Sequence, residues 1–505
     1  MIESVLVANR GEIAIRVIRA CRELGIRSVA VYSEVDRQSP HVLLADDAYL
    51  LGPAPAGESY LRTDRILEAA GKANVDAIHP GYGFLAERAP FADAVEEAGF
   101  VFIGPRGRTI AAMGDKTEAR QRMEAAGVPI VPGTTEPLRD ATAGVELARE
   151  MGFPVLLKAA AGGGGKGMRV VQTEEELPRA LEAAQREARG AFGDDSVYLE
   201  RYLERPRHIE IQLLGDAHGN VIHLGERECS IQRRHQKLVE EAPSVAITPE
   251  IRGQMGDAAV RAAQAVDYRG AGTVEFLFED GEFFFLEMNT RIQVEHPVTE
   301  MVTGIDLVQW QIRVAGGEEL PFQQEDIELR GHSIECRITS EVPEEGFLPA
   351  TGQIGYLEIP AGPGVRWDGG IGAGFQVGLH YDPLLAKLIV HAPTRDEAVQ
   401  RMGRALDELV IDGVDTCRDF HRRLMLEPDF RAGKLDIRYL EDHPQVADGP
   451  SGATEEGERR TVAALAGLLE SERRRQIQPP RIKGGAGGRS LSSWQRAIHP
   501  RFGGR

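Results

Sequence analysis

The first hundred residues alternate between short apolar runs and amphipathic segments, and this order constrains the fold more than any other feature. The run SVLVAN predicts a strand, RGEIAIRVIRACRELG a helix that ends at Gly25, and SVAVYS the next strand. DAIHPGYGFL predicts a further strand and a glycine-rich loop. This order indicates a doubly wound parallel sheet with ligands at the strand ends. Because NRGE lacks the GxGxxG fingerprint, the sheet does not indicate NAD binding.

Length and charge narrow the class of protein. The chain has 505 residues, with 59 Lys and Arg against 78 Asp and Glu and a net charge of −19. That length suits about three domains. Nucleic acids and anionic membranes attract clustered cations, so neither is expected as a partner, and phosphate-binding cations are expected inside a cleft. No apolar run approaches the roughly 20 residues that span a bilayer.

Cysteine usage and the N-terminus bear on location. The four cysteines lie far apart and form no CxxC pair: Cys21, Cys229, Cys336 and Cys417. This spacing suits reduced thiols better than a disulfide framework or a zinc site. The N-terminus enters the first predicted strand without a basic leader, so a cytoplasmic enzyme is expected.

The rest of the chain divides by pattern. Residues 130–203 predict a compact α/β segment, 204–315 a series of hairpins, and 331–445 a mixed block of strands and helices. After Tyr439 the composition becomes linker-like, and a short apolar helix is predicted in TVAALAGLL. From Ser471 onward nine Lys or Arg stand against one acid, and this tail is expected to be poorly ordered.

The stretch LLKAAAGGGGKGMRVV predicts a phosphate-binding loop. Consecutive backbone N–H groups of residues 162–165 can surround phosphate oxygens. It is not a Walker A motif, because no Ser or Thr follows Lys166 and MRVV predicts a strand. The alternative is a flexible turn without a ligand. Lys158 and Lys116 are candidates to neutralise phosphate, although a single lysine is more often a solvated surface residue.

The hairpin TVEFLFEDGEFFFLEMN places Glu275 and Glu287 on adjacent strands among apolar neighbours. Buried carboxylates need a counter-charge, and two of them facing one cleft suit Mg²⁺. A two-residue turn at Asp280 and Gly281 would direct the two carboxylates to opposite faces. We therefore expect a three-residue turn over 279–281, with a bulge and a positive φ at Gly281.

The adjoining stretch EMNTRIQVEHP alternates polar with apolar residues. Read as extended chain, one face carries Glu287, Asn289, Arg291, Gln293 and Glu295. A solvated strand is the alternative. The order acid, amide, cation, amide, acid favours a ligand-binding wall.

Two upstream segments add charge. SIQRRHQK carries Arg233, Arg234, His235 and Lys237, a run that would also suit a solvated face. His208 and Glu210 alternate on a predicted strand, where a lone histidine is more often structural than catalytic.

In combination these motifs resemble those of biotin carboxylases, the ATP-grasp components of biotin-dependent carboxylases. The resemblance rests on VANRGEIAIRVIRACRELGI, IHPGYGFLAE, FIGP, MGDK, KAAAGGGGKGMRVV, ERECSIQRRHQK, GAGTVEFLF and LEMNTRIQVEHPVTE, in this order. It covers roughly residues 1–443. RIQVEHPVTE after an acidic hairpin is specific for that family, whereas the glycine loop alone is not.

The resemblance implies a multidomain α/β and α+β protein. Its expected parts are a Rossmann-like pre-ATP-grasp domain over 1–113, an ATP-grasp domain over 114–317 and a C-terminal biotin carboxylase domain over 331–445. A lid over about 131–203 is expected to be mobile and to close over the nucleotide. Residues 446–505 are expected to form a linker and a basic tail.

The implied reaction phosphorylates bicarbonate with ATP to carboxyphosphate and transfers the released CO₂ to N1′ of biotin. ATP, Mg²⁺ or Mn²⁺, and biotin on a separate carrier protein are implied. The implied metal ligands are Glu275, Glu287 and Asn289. The implied ATP-binding residues are Lys116, Lys158, Gly164, Gly165, Glu200, Arg201, Tyr202, Leu203, His208, His235, Glu275 and Glu287.

The resemblance also implies roles for the polar residues between 287 and 295 and for their neighbours in the site. The implied bicarbonate-binding residues are Lys237, Arg291, Gln293, the Val294 backbone and Glu295, with Glu295 as general base. The implied biotin-binding residues are Tyr82, Arg291 and Arg337. Lys237, Arg291, Glu295 and Arg337 are the implied catalytic residues.

Partners follow from the resemblance as well. A biotin carboxyl carrier protein, carboxyltransferase subunits and a homodimer are expected, in the first half-reaction of an acetyl-CoA or acyl-CoA carboxylase. The alternatives are a biotin carboxylase subunit of a pyruvate carboxylase, another ATP-grasp ligase and a non-catalytic nucleotide-binding subunit. The final carboxyl acceptor is not encoded in the motifs, because the carboxyltransferase that selects it lies outside this chain.

Overall fold

The computed structural model describes residues 2–134, 137–138, 141–159, 168–192 and 195–449. Its N-terminal part is a parallel sheet in the strand order β3-β2-β1-β4-β5, so the predicted doubly wound sheet is confirmed. The strands are β1 (Ser4–Val7), β2 (Arg27–Ser33), β3 (Asp47–Gly52), β4 (Ala77–His79) and β5 (Val101–Phe102). The helices are α1 (Gly11–Glu23), α2 (Pro40–Leu44), α3 (Thr63–Ala73), α4 (Ala89–Glu97) and α5 (Gly107–Gly114).

Helix α1 shows why this region folds as predicted. Its apolar residues recur at helical spacing, so Ile13, Val17 and Cys21 are all buried on one face. They belong to a core that also holds Val5 of β1. The helix stops before Gly25, whose φ of 71° is left-handed.

The segment that follows α6 (Lys116–Ala125) is a small antiparallel sheet covered by two helices. The strand order is β7-β6-β8. The elements are α7 (Ala141–Met151), β6 (Val155–Ala159), β7 (Met168–Val171), α8 (Leu177–Phe192) and β8 (Val197–Arg201). The strand predicted after the glycine loop is therefore confirmed as β7. The loop itself, with Gly164 and Gly165, lies outside the described residues.

The largest sheet is antiparallel in the order β13-β12-β9-β10-β11-β14-β21-β19. Its strands are β9 (Arg207–Gly215), β10 (Val221–Arg233), β11 (Gln236–Ala242), β12 (Gly270–Glu279), β13 (Glu282–Asn289), β14 (His332–Thr339), β19 (Val365–Gly369) and β21 (Leu384–Ala392). Strand β11 pairs directly with β14. One sheet thus joins the hairpin-rich block to the block that begins at residue 331.

Helices and small sheets cover this large sheet. The helices are α9 (Pro249–Gln264), α10 (His296–Thr303), α11 (Leu307–Ala315), α12 (Arg395–Glu408), α13 (Arg418–Leu426), α14 (Pro428–Arg431), α15 (Tyr439–Asp442) and α16 (Pro444–Asp448). Three short strand pairs are β15 (Glu341–Val342) with β16 (Leu348–Pro349), β17 (Gly352–Gln353) with β20 (Gln376–Val377), and β18 (Tyr356–Glu358) with β22 (Val410–Asp412). Within the described ranges, no helix combines the length and apolar character needed to cross a bilayer.

The hairpin of β12 and β13 corrects one prediction and confirms another. The turn has two residues, not three, because Glu279 pairs with Glu282. Asp280 and Gly281 both have positive φ, 52° and 85°, as a type I′ turn requires. The positive φ at Gly281 is thus confirmed, and the three-residue turn was wrong.

The two glutamates nevertheless pair with each other. Glu275 lies opposite Glu287 because the register shifts between Glu275 and Phe276, which leaves Leu286 as an extra residue on β13. The bulge that the sequence predicted at the turn therefore lies further along the hairpin, where it brings both carboxylates to one face.

Candidate active site

The stretch of alternating polar and apolar residues from 287 to 295 is only partly a strand. β13 ends at Asn289, and the chain then runs through a loop into α10, which begins at His296. The expectation of extended chain as far as Glu295 was therefore wrong. Pro297 in the first turn favours a helix at this point, which ends the strand pairing. The loop still brings Gln293 and Glu295 to the same cluster of charges as Asn289.

Lys237, on β11, is the centre of that cluster. Its ammonium donates to three carboxylates: Glu210 Oε2 at 2.5 Å, Glu275 Oε1 at 2.9 Å and Glu295 Oε1 at 2.7 Å. Burial alone would lower the pKa of Lys237, but these carboxylates more than offset it and hold the pKa well above the usual range. Lys237 is therefore a permanent cation between three anions.

Glu295 receives a second cation. Its Oε2 accepts from Arg337 of β14 at 2.9 Å, and Arg337 also donates to Glu240 Oε1 at 2.6 Å. Burial would raise the pKa of Glu295, but Lys237 and Arg337 together lower it well below its usual value. Glu295 is thus ionised and can accept a proton once a cation moves away from it. Burial, only partly offset by Arg337, raises the pKa of Glu240 to about 7.

Arg291 lies at the edge of the cluster. Its Nε donates to Glu87 Oε2 at 2.9 Å, and a terminal nitrogen donates to Asn289 Oδ1 at 3.0 Å. Asn289 in turn donates to Glu275 Oε1 at 2.9 Å. One fifth of the Arg291 side chain is exposed (20%), so its guanidinium can meet a ligand that enters from solvent.

Gln293 is fixed inside the cluster. Its Nε2 donates to Glu275 Oε1 at 2.7 Å, and its Oε1 accepts from the buried Arg227 at 2.8 Å. The carbonyl oxygen of the neighbouring Val294 accepts from Lys387 of β21 at 2.8 Å. Two successive residues of this short loop are therefore held by cations from the large sheet.

Tyr82, predicted for the same pocket, reaches the cluster through a buried chain. Its hydroxyl donates to Glu12 of α1. Glu12 Oε1 lies 3.2 Å from the Lys387 ammonium. The parallel N-terminal sheet and the large antiparallel sheet thus contribute to one site.

Glu275 and Glu287 differ in environment. Glu275 is buried and accepts from Lys237, Asn289 and Gln293, whereas Glu287 is exposed, so the expectation of two buried carboxylates was wrong for Glu287. His208 Nε2 lies 3.0 Å from Glu275 Oε2. Two carboxylates on one face, one of them open to solvent, fit a hard divalent cation that also binds phosphate oxygens.

A second group of metal-ligand side chains lies deeper and does not suit a cation. Ligand atoms of His208, Glu210 and Glu275 lie within 4.8 Å of one another. Both Glu210 oxygens are already occupied, by Arg227 and by Lys237. These ammonium and guanidinium groups supply the positive charge that a metal would otherwise bring.

Three of the residues predicted for the nucleotide lie on or near β8: Lys158, Glu200 and Leu203. Lys158 of β6 donates to Glu200 Oε2 at 3.4 Å, and Arg120 of α6 donates to Glu200 Oε1 at 2.8 Å. Leu203 is buried in a small apolar cluster with Val131 and Phe284. This cluster offers an apolar surface next to a carboxylate.

Four further residues were predicted to bind the nucleotide. The Arg201 guanidinium lies 3.1 Å from Glu282 and stacks over Phe284, a member of the apolar cluster around Leu203. Tyr202 is half-buried beside it. Lys116 is exposed in the first turn of α6, and His235 is exposed in the turn between β10 and β11.

The sequence reasoning missed several cluster residues: Glu87, Arg120, Arg227, Glu240 and Lys387. For Lys387 a signal was available, because a single lysine inside the apolar run LLAKLIVHA indicates a buried charge that needs partners. Arg227 gave no such signal, since its neighbours Glu226 and Glu228 make the segment resemble a solvated charged strand.

Comparisons with known proteins agree with this geometry. Residues 1–110 match the family "Biotin carboxylase, N-terminal domain" and residues 335–442 match "Biotin carboxylase C-terminal domain". Residues 115–323 match "Carbamoyl-phosphate synthase L chain, ATP binding domain".

Individual relatives cover most of the chain. A biotin carboxylase of Allochromatium vinosum is 55% identical over 442 residues, 87% of this chain and 98% of that protein. A pyruvate carboxylase subunit of Methanothermobacter thermautotrophicus is 54% identical over 448 residues, 89% of this chain and 91% of that protein.

A solved structure shares the fold. It is the biotin carboxylase domain dimer of Hydrogenobacter thermophilus 2-oxoglutarate carboxylase, in complex with MgADP, ADP and bicarbonate. The TM-score is 0.82 at 52% identity, with coverage of 89% of this chain and 100% of that one.

The ATP-binding fold and the cation-rich cleft, taken with these matches, define an ATP-dependent ligase. More narrowly, the chain belongs to the biotin carboxylase family, whose members use ATP, Mg²⁺ and biotin.

Proposed function

We propose that this protein carboxylates biotin on a separate carrier protein, with ATP and bicarbonate as co-substrates. One observation carries the proposal: Lys237, Arg337 and the segment from Asn289 to Glu295 converge on one cluster of charges. Such a cluster of preorganised cations suits a reaction in which anionic charge develops on bicarbonate, phosphate and biotin in turn.

In the first step bicarbonate would lie between Lys237, Arg291 and the Gln293 amide. An anion there would replace the carboxylate contact that Lys237 makes with Glu295. Glu295 would then become more basic, because it loses a cation, and could take the bicarbonate proton. The oxygen so freed attacks the γ-phosphate of ATP, which yields ADP and carboxyphosphate.

In the second step carboxyphosphate would break down to CO₂ and phosphate beside the biotin ureido ring. The released phosphate would take the N1′ proton, and Arg337 and Arg291 would hold the ring oxygen as negative charge develops on it. Tyr82 would line the same pocket, held by Glu12. N1′ then attacks CO₂ and forms carboxybiotin.

At the other end of the cleft we propose the nucleotide site. Leu203, with its apolar neighbours, would cover the adenine, and Glu200 would accept from the amino group of the base. Lys116, Lys158, His208, His235 and the loop with Gly164 and Gly165 would contact ribose or phosphates. Backbone groups of Arg201 and Tyr202 would complete the pocket, with the Arg201 guanidinium over Phe284.

Glu275 and Glu287, with Asn289 beside them, would hold Mg²⁺ or Mn²⁺. A bound divalent cation neutralises charge on the phosphate oxygens of ATP. Glu287 is the available carboxylate of the pair, because Glu275 already accepts from three side chains.

The final carboxyl acceptor stays open within the proposal. Acetyl-CoA or another acyl-CoA was the first expectation, with pyruvate as the alternative; relatives of this chain include subunits of a pyruvate carboxylase and of a 2-oxoglutarate carboxylase. A carboxyltransferase, a biotin carrier and a second copy of the chain are the proposed partners. The cytoplasmic location stays a prediction.

One assay tests the proposal: ADP release from ATP, measured with and without bicarbonate and with and without biotinylated carrier. We expect ADP release to require bicarbonate and to rise with carrier, accompanied by covalent ¹⁴C label on the carrier when ¹⁴C-bicarbonate is supplied. ADP release that ignores bicarbonate, or that requires another carboxylate or amine substrate, would instead favour a different ATP-grasp ligase.

A further inference from the structure

Arg227 on β10 is fully buried, yet every N–H of its guanidinium has an acceptor. An arginine has five such donors. The acceptors are Glu210 Oε1 at 2.5 Å, Gln212 Oε1 at 2.6 Å, Gln293 Oε1 at 2.8 Å, Thr299 Oγ1 at 3.0 Å and Thr273 Oγ1 at 3.1 Å. The side chain is therefore locked in one orientation.

The contact with Gln293 decides which way that amide faces. Because Arg227 occupies Oε1, the NH₂ group must point the other way, where it donates to Glu275. A flipped amide would set its NH₂ against the guanidinium and its oxygen against a carboxylate, and both contacts would be repulsive. Arg227 thus keeps the Gln293 NH₂ group on the side where bicarbonate is proposed to bind.

The contact with Glu210 acts on a second residue of the site. Glu210 is buried between two cations, with Oε1 on Arg227 and Oε2 on Lys237. Loss of the guanidinium would leave the carboxylate with Lys237 as its main counter-charge. Lys237 would then be drawn toward Glu210 and away from the bicarbonate position.

We propose that Arg227 is a positioning residue for bicarbonate: it sets the amide orientation of Gln293 and, through Glu210, the place of the Lys237 ammonium. This inference rests on the proposed function of the site. This positioning role can be distinguished from a merely structural one, because Arg227 touches none of the residues proposed to bind adenine. Substitution should therefore weaken the use of bicarbonate and spare nucleotide binding.

The test compares Arg227→Met and Arg227→Lys with the parent chain. In metal sites, substitution of a side chain that orients a ligating residue typically costs 10- to 100-fold in affinity or activity, and we take this as the scale here. We expect KM for bicarbonate to rise by about that factor in Arg227→Met, with the dissociation constant for ATP, measured by calorimetry, unchanged. Arg227→Lys, which keeps the charge but lacks the planar fork, should show the same selective effect in smaller degree.

A matched control is Arg252→Met. Arg252, on the neighbouring helix α9 and away from the cluster, makes a bidentate ion pair with Glu226 at 2.6 Å. Its loss should leave KM for bicarbonate unchanged. A double-mutant cycle with Gln293→Ala should be non-additive, because part of the effect of Arg227→Met acts through the orientation of that amide.

Three outcomes would overturn the inference. They are additive effects in the double-mutant cycle, an increase in the dissociation constant for ATP equal to the increase in KM for bicarbonate, and an unchanged KM for bicarbonate in a folded variant. If Arg227→Met does not fold, the same criteria apply to Arg227→Lys. Failure of the proposed function is distinct, because the parent chain itself would then release ADP without any need for bicarbonate.

Discussion

At the scale of single residues, the site is a set of cations that are each already paired with carboxylates. Lys237 contacts three carboxylates and Arg337 contacts two. An incoming anion must therefore exchange for a carboxylate contact. In the proposed reaction this exchange would couple bicarbonate binding to the release of Glu295 from Lys237, so that the proposed base would become more basic when its substrate is present.

Arg291 provides the first prediction. Its guanidinium contacts Glu87 and Asn289 but none of the residues proposed to bind the adenine. Arg291→Ala should lower turnover by roughly 10²- to 10³-fold, the usual loss when one oxyanion donor is removed, and should leave the affinity for ATP nearly unchanged. Steady-state kinetics together with ATP titration by calorimetry check this. Weaker ATP binding at normal turnover would contradict the placement of Arg291 in the anion site.

Glu335 provides the second prediction. It is fully buried on β14, two residues before Arg337, and neither carboxylate oxygen has a hydrogen-bond partner among the described residues. Burial raises the pKa of Glu335 well above its usual value, although Lys387 partly offsets this. A raised pKa means that the folded state favours the neutral acid. Its contribution to stability is therefore complete at low pH and is lost as pH rises from the unfolded pKa toward the folded one.

Glu335→Gln should remove this dependence, because the amide has nearly the same shape and no charge. The melting temperature of the variant, relative to the parent chain, should increase from pH 5 to pH 8.5. The exposed Glu325→Gln, which changes the same net charge on the surface, serves as control and should show no such trend. A difference that is constant with pH would show that Glu335 is ionised in the folded protein.

Residue patterns indicated the side chains proposed to contact the substrates better than the buried side chains that hold them in place. The residues from 287 to 295 stand out in sequence because their polar types are unusual for a solvated strand, whereas the run that holds Lys237 would also suit a solvated face. Arg227 does not stand out, since its role depends on acceptors from β9, β12 and α10 that come together only in the folded sheet. Local sequence carries no record of such long-range partners.

At the scale of elements, the hairpin of β12 and β13 shows why the same sequence could suit either a two-residue or a three-residue turn. Both readings required an irregularity to bring Glu275 and Glu287 to one face, and the sequence did not say where it lies. Asp280 and Gly281 favour the two-residue type I′ turn. The extra residue then falls at Leu286, an exposed position where a bulge disturbs no core packing.

This bulge provides the third prediction. Exchange of the two neighbours, as Leu286→Glu with Glu287→Leu, keeps composition and charge but moves the carboxylate from the paired position to the bulged one. The Mg²⁺ concentration required for half-maximal ADP release should rise, and the increase should match that of Glu287→Gln alone. Melting curves control for folding. An unchanged metal requirement in the exchanged variant would show that the pairing of Glu275 with Glu287 is irrelevant to metal use.

At the scale of the whole molecule, the site is assembled from segments far apart in the chain. Glu12 and Tyr82 come from the parallel-sheet part, Lys237 from the centre of the large sheet, and Lys387 from its far side. The sequence indicated three blocks, and strand pairing of β11 with β14 joins two of them. Sequence patterns do not reveal such pairing, because either strand would present the same alternation at a sheet edge.

The same scale carries the last prediction, which is that the chain does not carry biotin itself. The carrier domain of this family usually presents its modified lysine in a Met-Lys-Met turn, and none of the ten methionines here is followed by Lys. Residues 446–505 also lack the alternation that the strands of a carrier sandwich require. Free biotin should be a poor substrate, because tethering to a carrier raises its local concentration at a pocket of few contacts.

Co-expression with a biotin ligase tests this prediction directly. We expect no covalent biotin on the chain by mass spectrometry, and we expect biotinylated carrier to stimulate ADP release far more than the same concentration of free biotin does. A carrier in which the modified lysine is replaced by arginine controls for stimulation by docking alone. A biotinylated lysine anywhere in the 505 residues would overturn the prediction, and the carrier site would then have to be sought within this chain.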